Sequence, residues 1–283
     1  MAHGMNALAF VRAAPKGEAM MKLMIVGAAG RMGKEVIRAV AASRDFALAS
    51  AVENEGHPET GKDAGAAAGV EAGGVMIGGR IGEALARADA VIDFSTPPST
   101  AALLEALKAD PKPAVIGTTG LDEKIMAAAR EASSKAPLLV SPNLSYGIAV
   151  LKHLAKTAQR LLSGFDIEVM EVHHRNKMDA PSGTADAILR ILKEEAPAGG
   201  DAQAVFSRSG KDARRKPGEI GVHSLRGGSV TGEHTIFFLG DGEKIEITHT
   251  AETRGIFAIG ALGALRWLAG KPAGLYSMDD LFR

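Results

Sequence analysis

The densest chemistry lies in Glu171-Val172-His173-His174-Arg175-Asn176-Lys177-Met178-Asp179-Ala180-Pro181-Ser182-Gly183-Thr184-Ala185, which sets two imidazoles, cations and a helix start side by side. An imidazole titrates near neutral pH, so His173 or His174 could give or take a proton at a reacting carbon. Pro181 closes the loop and Ser182 is placed as an N-cap. Gly183 and Thr184 would then offer backbone N–H groups to a small carboxylate. A helix terminus contributes only ~0.3–1 kcal/mol toward an exposed anion and up to ~2 kcal/mol when partly buried. A tight anion site therefore needs a cation, and Lys177 is the nearest. Adjacent histidines on a strand point to opposite faces, so the pair is not expected to chelate one metal ion, and no metal site is expected elsewhere. His223, His234 and His249 are expected to be satisfied polar residues on strands.

A second constellation is Gly27-Ala28-Ala29-Gly30-Arg31-Met32-Gly33, which follows an apolar strand and opens a helix. Glycines there let backbone N–H groups approach a pyrophosphate at a helix N-terminus. Glu53 ends the next apolar run, about 20 residues further on, at the spacing of an acid that accepts hydrogen bonds from a ribose. Gly117-Thr118-Thr119-Gly120 and Ser141-Pro142-Asn143-Leu144 follow later strands, where ligands of open parallel sheets lie, and are placed to reach a nicotinamide. Glu53 beside the neutral Asn54 favours an unphosphorylated ribose, while Arg31 partly compensates a 2′-phosphate. Both NADH and NADPH are expected.

The elements that must position these residues alternate short apolar runs (LMIVG, FALASAV, AVIDFS, PAVIG, PLLVS) with helical periodicity. This pattern predicts an α/β, Rossmann-like dinucleotide-binding domain with a parallel sheet. Its later helices are expected over 99–109 and 122–135, with Ser99 and Asp122 as N-caps. After Asn143 the grammar becomes α+β: a helix near 147–163, the strand FDIEVMEVHH, a helix near 183–195, then strands. Residues 197–219 read as a mobile surface excursion, and GDG at 240–242 as a hairpin. TIFFL has no polar face, so both faces should be buried, one by helices and one by another subunit. The domains are set at 21–144, rejoined by 254–283, and at 145–253 for substrate and assembly. Residues 1–20 read as an extension, not a signal peptide, because Arg12 interrupts a very short apolar run.

Composition narrows the classes. The 283 residues suit about two domains. Lys+Arg and Asp+Glu both number 33 and aromatics make up 4%, which argues against nucleic acid as a partner. Cys is absent, which removes disulfides and thiol catalysis. No run reaches the ~18 apolar residues of a membrane helix, so a cytoplasmic protein is expected.

Together GAAGRMG at 27–33, Glu53, DFSTP at 93–97, GTTG at 117–120, SPNLSYG at 141–147, EVHHRNKMDAPSGTA at 171–185 and GVHSLRGGSVTGEH at 221–234 carry a resemblance to the 4-hydroxy-tetrahydrodipicolinate (dihydrodipicolinate) reductases. The resemblance implies NADH- or NADPH-dependent reduction of a cyclic dicarboxylate on the route to diaminopimelate and lysine, in a homotetramer. By position it makes His173 and Lys177 proton donors, and His174, Gly183 and Thr184 substrate contacts. Gly27, Ala28, Ala29, Gly30, Arg31, Met32, Glu53, Gly117, Thr118, Thr119, Ser141, Pro142, Asn143 and Leu144 become cofactor contacts. Leu144 departs from an aromatic common there, and Asn54 from an Arg in some relatives. Another small-substrate dehydrogenase, or a non-catalytic dinucleotide sensor, remains open.

Overall fold

The computed structural model describes residues 19–196 and 202–282. Residues 1–18 of the expected extension and 197–201 of the expected excursion lie outside the described residues. The chain divides into two units, one up to Tyr146 together with Arg254 onward, the other Gly147–Thr253.

In the first unit β1 (Met21–Val26) leads through the glycine turn into α1 (Arg31–Ala41), followed by β2 (Phe46–Val52), α2 (Ala64–Ala68), β3 (Ile77–Gly78), α3 (Ile81–Leu85), β4 (Ala90–Asp93), α4 (Pro97–Ala109), β5 (Ala114–Ile116), α5 (Glu123–Ser133) and β6 (Pro137–Val140). The second unit holds α6 (Tyr146–Leu161), whose first residue still belongs to the first, then β7 (Asp166–His173), α7 (Gly183–Glu194), β8 (Gln203–Val205), β9 (Glu219–Arg226), β10 (Glu233–Gly240) and β11 (Glu243–Thr250). The chain then returns as α8 (Gly255–Leu268) and β12 (Gly274–Tyr276).

The first sheet is parallel throughout, in the order β12-β6-β5-β4-β1-β2-β3. Helices cover both faces of such a sheet, so Leu23, Met24, Ile25 and Val26 are all fully buried rather than alternating. α1 is amphipathic and buries Val36, Ile37 and Val40. Asp122 caps α5 as expected, accepting from the Ile125 N–H at 2.8 Å. Ser99 is not a cap: α4 begins at Pro97 after Thr96, because a proline at the first helical positions lacks only an N–H that has no partner there. Among the described residues no helix is long and apolar enough to cross a membrane.

The second sheet runs β11-β10-β7-β9-β8. Ile167 and Val169 of β7, Ile236 and Phe238 of β10, and Val222 of β9 pack with Ile148 and Leu151 of α6 and Ile188 and Leu192 of α7. Asp241-Gly242 joins β10 to β11, as the GDG motif predicts. The described part of 197–219 is no free excursion. β8 pairs in parallel with β9, and Arg208 and Arg215 turn inward to Glu168, with Arg208 also on Glu219 at 2.5 Å. Arg208 and Arg215 are thereby neutralised at the sheet, while Lys211, Asp212, Arg214 and Lys216 stay exposed.

Candidate active site

In the first unit, the glycine turn uses several of its own donors. The Gly27 and Ala28 N–H groups both donate to the Val52 carbonyl, at 2.9 and 3.0 Å, and the Gly30 N–H donates to the Gly27 carbonyl at 3.0 Å. The Ala29 N–H donates to Glu53 Oε2 at 3.1 Å, and Asn54 N–H donates to Oε1 at 3.0 Å, so Glu53 is locked to the turn while keeping lone pairs for a ribose. The first helical bond runs from Lys34 to Gly30, which leaves the Arg31, Met32 and Gly33 amides at the helix N-terminus ahead of it. Gly30 supplies no side-chain cap, and no acid stands in the first turn. Those amides and that terminus fit a pyrophosphate. Close packing makes the fit: a Cβ on Gly33 would lie 2.1 Å from the Gly27 carbonyl oxygen, and Gly27 itself has φ +77°.

The loops at the strand ends are tied together beneath. Asp93 is fully buried, and its Oδ1 accepts from the Ser95 N–H and hydroxyl at 2.9 and 2.5 Å, while Oδ2 accepts from the Thr100 hydroxyl at 2.5 Å. Burial pushes its carboxyl up, and these hydrogen bonds oppose the rise. The Ser95 N–H is shared with Thr118 Oγ1 at 3.1 Å, so Asp93 fixes the start of α4 and the Gly117–Thr119 loop together. Ser141 Oγ donates to the Asn143 carbonyl at 2.7 Å, and Asn143 Oδ1 accepts from the Ser145 N–H at 2.9 Å. Leu144 is 1% exposed and lies against Gly117, so the residue that replaces an aromatic braces the loop from inside.

In the second unit, register builds the site. β7 pairs His234 of β10 with Glu171, and Arg226 of β9 with His173, on the helix-covered face. Glu171 is fully buried. Its Oε2 contacts His173 Nδ1 at 2.6 Å, and Arg226 donates to both carboxylate oxygens, at 2.8 and 2.7 Å. The Ser182 N–H donates to Oε1 at 3.2 Å. Burial alone would raise the Glu171 carboxyl, but the hydrogen bonds of Arg226, Ser224 and His173 outweigh it and hold it at about 2. Burial lowers the His173 imidazolium, and Glu171 opposes that fall by hydrogen bond and charge. With Nδ1 directed at Glu171, Nε2 is the nitrogen left for a substrate. Gly232 makes room for it, since a Cβ there would come within 3.0 Å of Nε2.

Ser182 caps α7 as expected, accepting from the Ala185 N–H at 3.2 Å. Its hydroxyl also meets His234 Nε2 at 3.1 Å, and the His234 ring stands edge-on to His173 with centroids 5.2 Å apart. His234 is therefore not a bland strand residue: it is buried, its Nδ1 has no partner among the described residues, and burial pushes its imidazolium down to about 4. His223, by contrast, is satisfied by Glu168 at 2.7 Å. His174 is half-buried just past β7 and donates its N–H to the Val230 carbonyl at 2.8 Å. Gly183 is exposed at the start of α7 with Thr184 beside it. Lys177 Nζ lies on Asp179, at 2.8 Å from Oδ1 and 3.0 Å from Oδ2.

The structure thus gathers His173, Ser182, Gly183 and Thr184 on β7 and the α7 start, and adds Glu171, Arg226 and His234, whose roles sequence reasoning missed. The available signal was an acid two residues before a histidine on one face of a strand.

A parallel nucleotide-type sheet whose first turn opens helix amides to an anion, joined to a unit with a carboxylate-held histidine, defines a dinucleotide-dependent oxidoreductase. The family model for the dihydrodipicolinate reductase N-terminus matches residues 21–144, and that for the C-terminus matches 147–282. The 4-hydroxy-tetrahydrodipicolinate reductase of Anaeromyxobacter dehalogenans is 45% identical over 266 residues, covering 93% of this chain and 97% of its own. That of Thiobacillus denitrificans is 42% identical over 262 residues, covering 92% and 98%. The chain belongs to the dihydrodipicolinate reductase family. In fold it is similar to the dipicolinate-bound dihydrodipicolinate reductase from Paenisporosarcina sp. TG-14, with TM-score 0.72, 21% identity and coverage of 92% and 98%. The scyllo-inositol dehydrogenase from Lactobacillus casei with bound NAD(H) and scyllo-inositol shares the fold at TM-score 0.57, 14% identity and 93% coverage of each chain.

Proposed function

We propose that the chain reduces 4-hydroxy-tetrahydrodipicolinate to tetrahydrodipicolinate with NADH or NADPH, in the formation of diaminopimelate and lysine. The dinucleotide, when bound, supplies the hydride. Gly27 to Met32 and Glu53 would hold its pyrophosphate and adenosine ribose, and Gly117 to Thr119 with Ser141 to Leu144 its nicotinamide half. Loss of the 4-hydroxyl as water gives a conjugated cyclic imine; hydride addition to it leaves an enamine that must be protonated, and His173 donates that proton from Nε2. Glu171, clamped by Arg226, keeps the ring oriented and favours the charged imidazolium against burial. Lys177, His174 and the Gly183 and Thr184 amides hold the substrate carboxylates.

The observation that carries this reading is the buried Glu171–His173 pair set beside the α7 N-terminus. Following reduced-nicotinamide absorbance with the condensation product of pyruvate and aspartate semialdehyde tests it. Rapid oxidation that requires the condensation product is expected. Oxidation with aspartate semialdehyde alone would make this a different dehydrogenase, and none with any acceptor would make it a sensor.

Assembly as a homotetramer through the second sheet fits the same reading, as does a cytoplasmic site. Ile236 and Phe238 form the helix-covered face of TIFFL, fully buried under α6 and α7, so a charge at Phe238 would break the unit's own core. Phe237 and Leu239 are half-buried on the opposite face and are the residues a second subunit would cover.

A further inference from the structure

The proposed reading asks Lys177 and the Gly183 N–H to hold a ligand carboxylate, and a carboxylate of the chain already lies on Lys177. Asp179 takes the Lys177 ammonium on its two oxygens, at 2.8 and 3.0 Å. The same carboxyl is held below its ordinary range, first by Lys177 and further by the Gly183 N–H at the start of α7. The exposures differ in a telling way. The Lys177 side chain is 20% exposed and that of Asp179 is 57% exposed, so the anion can turn into water while the cation stays in place. Its main chain is anchored, because Arg226, already fixed on Glu171, donates from Nη2 to the Asp179 carbonyl at 2.7 Å. Only the side chain need rotate.

We propose that Asp179 is an internal competitor for the substrate carboxylate and so sets the affinity of the site. Ligand binding then exchanges one carboxylate for another on Lys177 instead of filling an unpaired cation. The cation is never left bare when the ligand departs, and the net electrostatic gain on binding is the stronger ligand pair less the weaker, more exposed Asp179 pair.

The inference rests on Lys177 holding the ligand carboxylate, and one titration series separates the two claims. Calorimetry with pyridine-2,6-dicarboxylate is run on the wild-type chain, Asp179→Asn, Asp179→Ala and Lys177→Ala, with thermal melts to establish that each is folded. Both Asp179 variants should bind about three- to tenfold tighter than wild type, because a competing pair of the strength of a partly exposed ion pair is gone. Lys177→Ala should bind markedly weaker. If Lys177→Ala binds like wild type, the reading of Lys177 fails. If Lys177→Ala loses affinity while the Asp179 variants bind equally or more weakly, the competitor is overturned and Asp179 instead holds the ammonium in position for the ligand.

Discussion

In the glycine turn of the first unit the groups able to meet an anion are the Arg31, Met32 and Gly33 main-chain amides, held by packing that leaves no room for a Cβ at Gly33. In the second unit they are side chains: the Glu171–Arg226–His173 set, held by hydrogen bonds of 2.6 to 2.8 Å within β7 and between β7 and β9, and Lys177, held by Asp179. The two designs have different vulnerabilities. Main-chain donors have no ionisable group to titrate and are lost when the backbone is displaced. Side-chain donors tolerate small changes of packing and are lost when a charge is removed.

Adding one methyl to the turn should give the largest effect. Gly33→Ala should weaken NADH binding by more than about a hundredfold, since the Gly27 carbonyl must move and carries the turn with it. Fluorescence titration with NADH measures this, and near-normal affinity would mean that the turn is not the pyrophosphate site. Removing a charge from the second unit is the mirror experiment. Lys177→Ala should raise the KM for substrate and lower kcat while sparing NADH affinity, because a charge-assisted bond worth ~1.5–3 kcal/mol, roughly tenfold to a hundredfold, disappears. Loss of NADH affinity in that variant would break the comparison.

Glu171→Gln sharpens it further. Glu171 is what raises the His173 imidazolium against burial, so in this variant the decline of kcat with rising pH should begin at lower pH than in wild type. At pH 8 a fall of about tenfold is expected, and superimposable pH profiles would show that Glu171 does not govern the acid. The smallest effect concerns Asn54, which is exposed beside Glu53. Wild type should use both cofactors, with kcat/KM for NADH equal to or above that for NADPH, and Asn54→Arg should move the ratio about three- to tenfold toward NADPH. A wild-type preference for NADPH above tenfold would mean that another cation reaches the 2′-phosphate.

What could be read in advance follows the same division. The strand, glycine turn and helix of the first unit are local in sequence, and each buried strand is a continuous apolar run, so its order and the place of Glu53 were legible. The Ser182 cap was legible for the same reason, since its partner Ala185 is three residues away. Arg226 and His234 were not: strand register brings Arg226 to Glu171 across 55 residues, and His234 meets the α7 cap Ser182 across 52. The charges of Arg208 and Arg215 misled for the complementary reason: a charge run looks solvated until the sheet brings Glu168 to it. The start of α4 shifted because Pro97 can open a helix without a side-chain cap.

The central claim is that His173, held by Glu171, gives the proton that completes reduction. Steady-state kinetics of His173→Gln, with NADH affinity measured on the same preparation, tests it most directly. The account predicts kcat lower by ~10²–10⁴ with NADH affinity little changed, because the acid acts in the transition state and the cofactor is held by the other unit. A His173→Gln enzyme with kcat within about threefold of wild type would contradict it.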